Sequence, residues 1–133
     1  MEEPVAARGD RDVSLTIPAK PGFLVLARLA LSAVCRLTPL TADEVADLKL
    51  AITEAASDFV DESEPADDGE EARLQFSFRL LQDRLLLELE GTPTNVPMVE
   101  QELGRAIIDA TVDECDFGPR MTRLVKYIRT ASS

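Results

Sequence analysis

The sequence predicts an α+β two-layer sandwich, in which three helices cover one face of a mixed, mostly antiparallel sheet. Two neighbouring runs carry the first signal. Leu74, Phe76, Phe78 and Leu80 alternate with polar residues, and Leu85, Leu87 and Leu89 resume the alternation after Gln82-Asp83, which is the period of a half-buried hairpin. Three other stretches repeat apolar residues every three or four positions, the period of an amphipathic helix. The order is strand, helix, helix, two strands, helix, two strands, without internal repeat. Such segregation suits helices layered on one side of a sheet. At 133 residues the chain makes one domain, assigned to residues 13–130 behind a loose charged tail at 1–12.

Val13, Leu15 and Ile17 alternate with Ser14 and Thr16 up to Pro18, which cannot donate to a ladder and marks a short edge strand. After Pro21-Gly22, residues 23–37 read as a helix with an apolar stripe of Leu24, Ala27, Leu31 and Val34. Leu26, Leu29, Ala30 and Ala33 make most of the remaining circumference apolar, leaving a narrow polar line of Arg28, Ser32 and Arg36. A helix of this kind is either buried on several sides or docked against another chain. Both remain open. Pro39 disfavours a helical Thr38, so the next helix should form an antiparallel helical hairpin with the first.

That second helix is predicted over residues 41–61. Thr41 and Glu44 have capping-box spacing. Val45, Leu48, Ile52, Ala55 and Phe59 share the face turned to the core, while Asp43, Asp47, Glu54, Asp58 and Asp61 converge on another stripe. The acidic run that follows, with Pro65 and Gly69, reads as a solvated loop without the EF-hand pattern. Beyond the hairpin, residues 91–98 form a loop rich in proline. Val99, Leu103, Ala106, Ile107 and Ala110 then predict the core face of a third helix, with Gly104 inside it at a cost of about 1 kcal/mol relative to alanine. Two strands close the chain, at 114–117 and 122–129, joined by Gly118-Pro119-Arg120.

Composition narrows the chemistry. The absence of histidine removes Ser-His and Cys-His nucleophile pairs and leaves only cysteine and carboxylates for zinc. A net charge of −11 argues against direct nucleic-acid binding, which depends on Lys and Arg at phosphates, and fits a basic protein partner or simple solubility. Cys35 and Cys115 lack CxxC spacing and read as buried thiols of a cytoplasmic protein. The longest apolar run, 23–27, is too short to span a bilayer.

The element order, with LTADEVADLKLAITEA on the second helix and VDECDF…TRLVKYI at the end, resembles the histidine-kinase-like ATPase fold in its small anti-sigma-factor, serine-kinase form, from about Val13 to Thr130. The resemblance implies a catalytic glutamate followed four residues later by a magnesium-binding asparagine, an adenine-reading aspartate in a DxG segment, and glycine-rich turns with a lid over the phosphates. Here Glu54 matches the glutamate, but Asp58 stands for the asparagine. With Gly91 aligned to the DxG glycine, Leu89 occupies the adenine-reading position and lacks an acceptor for an amine. Of the second glycine-rich turn only Gly104 remains, after Glu102-Leu103, and twelve residues separate it from Gly91. A triphosphate needs cations or backbone N–H groups at its oxygens, so the acidic stripe is expected to face solvent or a partner.

Arg28 falls where the family uses a helix arginine to contact the sigma factor and the antagonist; with Ser32 and Arg36 it forms the expected partner-binding line. It also reads as an ordinary surface arginine whose stem covers apolar neighbours. The implied function is an anti-sigma factor that sequesters a sigma factor and is released by an anti-anti-sigma protein of the STAS type. Homodimerisation is expected, with no membrane or nucleic-acid contact, no enzymatic turnover and no cofactor. Two alternatives stand beside it. One is a working serine kinase with Glu54 catalytic, Asp58 on magnesium, and Glu54, Asp58, Gly91 and Gly104 binding Mg-ATP; the other is a dimerisation module without a sigma partner.

Overall fold

The hairpin predicted from strict alternation anchors the sheet in the computed structural model, which describes residues 11–60 and 72–128. Strands β1 (Arg11–Pro18), β2 (Arg73–Leu80), β3 (Arg84–Glu90), β4 (Glu114–Phe117) and β5 (Met121–Tyr127) run in the order β1-β2-β3-β5-β4. Every pairing is antiparallel, so the mixed sheet expected from sequence is antiparallel throughout its described strands. β5 turns back between β3 and β4, which removes the need for a parallel crossover. β1 is the edge strand predicted, but it begins two residues earlier: Arg11 and Asp12 pair with Leu80 and Arg79. The expected tail therefore loses those two residues to the sheet, and residues 1–10 lie outside the described ones, as do the acidic loop 61–71 and Arg129.

Register aligns the apolar residues across strands. Leu15, Phe76, Leu89 and Thr122 stand opposite one another in sequence across four strands, as do Val13, Phe78, Leu87 and Leu124. Phe76, Phe78, Leu87, Leu89 and Leu124 are buried, whereas Gln75 and Arg79 on the opposite face are exposed. One sheet face is thus covered, and it merges into a single core with the helices.

Helix α1 (Leu24–Cys35) follows a 3₁₀ turn at Pro21–Phe23. Its predicted stripe, Leu24, Ala27, Leu31 and Val34, is buried. The rest of its apolar circumference is not: Val25, Leu26 and Leu29 are exposed, Leu29 by 61%. Burial on several sides is therefore not the explanation of this helix. α2 (Ala42–Ala56) starts as read, with the Thr41 hydroxyl accepting from Glu44 N at 3.1 Å and the Glu44 carboxylate accepting from Thr41 N at 2.9 Å. The bond from the Thr41 backbone N–H does most to hold the Glu44 carboxyl below its usual range, aided by Lys126 and the Thr41 hydroxyl. Thr41→Ala removes the cap and is expected to cost about 1 kcal/mol in denaturant unfolding.

α2 ends at Ala56 rather than near Asp61. The Ser57 hydroxyl donates to Thr53 O, and the Asp58 and Phe59 N–H groups bond three residues back, tightening and closing the last turn. Asp58 therefore lies beyond the helix, and of the five predicted stripe residues Asp43, Asp47 and Glu54 remain on it.

α3 (Met98–Thr111) corrects a second expectation. Val99 and Leu103, predicted to face the core, are 77% and 62% exposed, and Ala106 and Ala110 are also exposed. Gly104 and Ile108 are buried instead. The helix packs on α2 and β4, with Gly104 rather than the bulky stripe buried, next to Glu54.

Candidate functional site

The end of α2, the loop at 91–97 and the first turns of α3 enclose a cleft of about 890 Å³. Thr94 ties the loop down: its N–H and hydroxyl both donate to Asp58 O, at 2.8 and 3.1 Å. Glu54, Asp58 and Glu100 contribute carboxylates to the lining, while Leu24, Phe59 and Ile107 give it apolar walls. No lysine or arginine is among its described lining residues. Burial pushes the Asp58 carboxyl above the usual carboxylate range, with Arg105 pulling the other way. The Arg105 guanidinium itself sits over the Phe117 ring, 4.6 Å from its centroid. Val60 and Ala72 also line the cleft.

Glu54, Asp58 and Gly104 are brought together as the sequence suggested. Gly104 has a local reason: a Cβ there would lie 3.2 Å from Glu54 Oε1. Gly91 and Leu89 are placed elsewhere. Gly91 is buried and bonded from its N–H to Arg120 O at 3.0 Å, and a Cβ on it would meet Leu74 Cδ1 at 3.2 Å and both Arg73 O and Phe59 Cβ at 3.4 Å. Leu89 is fully buried in the core. Neither lines the cleft. The two glycines should consequently respond in opposite ways. Gly104→Ala meets only the movable end of a side chain and gains helix propensity, so it is expected to be neutral or to stabilise by up to about 1 kcal/mol. Gly91→Ala meets backbone and packed carbon, and is expected to destabilise by about 1–3 kcal/mol. Thermal unfolding of the two variants checks both signs.

Sequence reasoning missed Glu100 and Thr94. Glu100 is an ordinary first-turn acid in sequence, and the Thr94 bond spans 36 residues, beyond any local pattern.

The predicted partner line on α1 divides. Arg28 is half-buried and donates from Nη1 to Thr53 Oγ1 at 3.3 Å, bridging to α2, where the Thr53 hydroxyl donates to Lys49 O at 2.8 Å. Ser32 and Arg36 instead line a separate shallow groove between α1 and α2, with Lys49 and Cys35. Burial pushes the Cys35 thiol up to about 11, which keeps it protonated and inert as packing. Cys115, expected to be buried, is only half-buried, on the short edge strand β4. Burial, Asp109 and Asp116 raise its pKa as well.

This arrangement, an antiparallel sheet with a helix layer and a carboxylate-bearing cleft at the end of its second helix, defines the class as the histidine-kinase-like ATPase fold. The solved RsbU and RsbW domains of a Mycobacterium tuberculosis protein share the fold, with a TM-score of 0.61 and 16% identity over 91% of this chain and 34% of that one. No protein-family model matches the chain. In sequence it is 30% identical over 108 residues to the serine-protein kinase RsbW of Bacillus pumilus, covering 80% of this chain and 67% of that protein. With RsbW of Bacillus subtilis the identity is 31% over 108 residues, 80% and 66% of the two chains. The chain belongs to the RsbW family of anti-sigma factors and serine-protein kinases. It spans about two thirds of the length of these relatives.

Proposed function

We propose that the chain is an anti-sigma factor that holds its sigma factor by direct binding, without phosphoryl transfer, and that a STAS-type anti-anti-sigma protein competes for it. Membership of the RsbW family supports both partners. What supports a mode of action without phosphoryl transfer is the described cleft lining, with three carboxylates and no lysine or arginine. A triphosphate brought there meets like charge, and its developing charge in transfer would find no cation among the described lining residues. The adenine-reading position does not compensate, since Leu89 is apolar and sealed in the core. These residues do not fit Mg-ATP.

A second reading, an ATP-dependent kinase acting through Glu54, is favoured by one observation, the meeting of Glu54 and Gly104 in a single cleft. It requires the magnesium ion alone to offset Glu54, Asp58 and Glu100. The partner surface on α1 combines the exposed Val25, Leu26 and Leu29 with Arg36, which suits direct association, with charge setting rate and specificity. No helix among the described residues is long and apolar enough to cross a membrane.

The test mixes the purified chain with each sigma factor encoded in the same genome, without nucleotide, and follows complex formation by sedimentation. A stable complex with at least one sigma factor is expected, weakened by Arg28→Glu and by the exposed Arg36→Glu. Binding to none, or binding only when Mg-ATP is added, contradicts the proposal.

A further inference from the structure

We infer that the cleft beside Glu54 is a docking groove for a basic segment of a partner protein, one that sets lysine or arginine side chains between apolar ones. The inference rests on the reading that this cleft does not serve a nucleotide. At about 890 Å³ it has room for several side chains. Its walls are apolar at Leu24, Phe59 and Ile107, and Leu103 carries that surface out to the rim, where it is 62% exposed. Val99, one helical turn before Leu103 and 77% exposed, extends the same face. Apolar surface therefore runs beside three carboxylates in one cleft.

Charge selects the occupant. Glu54, Asp58 and Glu100 line the groove, and Arg105, whose charge Asp58 feels, is engaged on the Phe117 ring and is not part of the lining. A partly buried carboxylate is relieved by a cation that arrives with its own apolar packing. A second copy of the chain is a poor source, because its net charge is −11. Apolar neighbours in the segment fill the walls, and its cations meet the carboxylates.

The test uses a fluorescent amphipathic peptide of leucine and lysine, about three helical turns long, against an oligolysine of equal charge at physiological ionic strength. The Leu-Lys peptide is expected to bind saturably and at least about tenfold more tightly than oligolysine, since tenfold is only about 1.4 kcal/mol of apolar burial. Combining Glu54→Gln, Asp58→Asn and Glu100→Gln is expected to weaken it by about tenfold or more. The charge-matched Asp43→Asn, Asp47→Asn and Glu90→Gln, outside the groove, should change affinity by less than about threefold. Equal losses in the two triple variants, or no saturable binding, overturn the groove. Self-association abolished by the groove triple, with no peptide binding, gives the groove to a second copy and also overturns it. Saturable binding of Mg-ATP to the chain without peptide contradicts the nucleotide-free reading on which the groove rests, whereas absent peptide binding with no nucleotide binding overturns the groove alone, so the two failures are distinguishable.

Discussion

Leu89→Asp is expected to unfold the domain rather than rebuild a nucleotide site. The substitution restores the residue type that the family resemblance places at the adenine-reading position. Leu89 is nevertheless fully buried, paired in register with Phe76 on one side and Thr122 on the other, and absent from the cleft lining. Removing its methyl groups alone carries a large-to-small cost of about 2–5 kcal/mol. The new carboxyl would also be desolvated without a cation, adding roughly 1–3 kcal/mol even if it takes up a proton. That sum is comparable to the whole stability of a domain of this size, about 5–15 kcal/mol. Circular dichroism and thermal unfolding should show loss of the cooperative transition. Leu89→Met, which keeps volume and polarity, should stay within about 1.5 kcal/mol of the parent. A folded Leu89→Asp protein would mean that this position opens to solvent or to the cleft.

Phe76→Ala is expected to cost about 3–5 kcal/mol. Its ring is fully buried at the centre of the covered sheet face, 6.1 Å from the Phe78 ring centroid, and its strand neighbours are Leu15 and Leu89. Ser77, one residue on, points to the opposite and more open face. Ser77→Ala should therefore move stability by less than about 0.5 kcal/mol. Denaturant titration of the pair measures how one-sided the helix layer is: comparable losses would mean that both faces are covered.

Local pattern made much of this fold legible. The capping box at Thr41 and Glu44 named the start of α2, and alternation along β2 and β3 named the buried residues one by one. The end of α2 was not legible, because Ser57 and its neighbours close the helix through bonds that periodicity does not describe. α3 misled for a different reason. Val99 and Leu103 announce an apolar face, but periodicity does not say which neighbour the helix meets, and Gly104 meets Glu54 across 50 positions of sequence. The cleft was partly legible. Glu54, Asp58 and Gly104 could be aligned by resemblance, whereas the separation of Gly91 and Leu89 from them depends on packing around Phe59 and Leu74.

The most direct test of the account is calorimetric titration of the folded chain with Mg-ATP, accompanied by a thermal-shift series. With Glu54, Asp58 and Glu100 lining the cleft and no cation among its described lining residues, the expected result is no saturable heat and no rise in unfolding temperature at millimolar nucleotide. At a hundredfold excess over a dissociation constant, a bound nucleotide would stabilise the domain by about 2.7 kcal/mol. Saturable micromolar binding with such a shift would contradict the account and restore the kinase reading centred on Glu54.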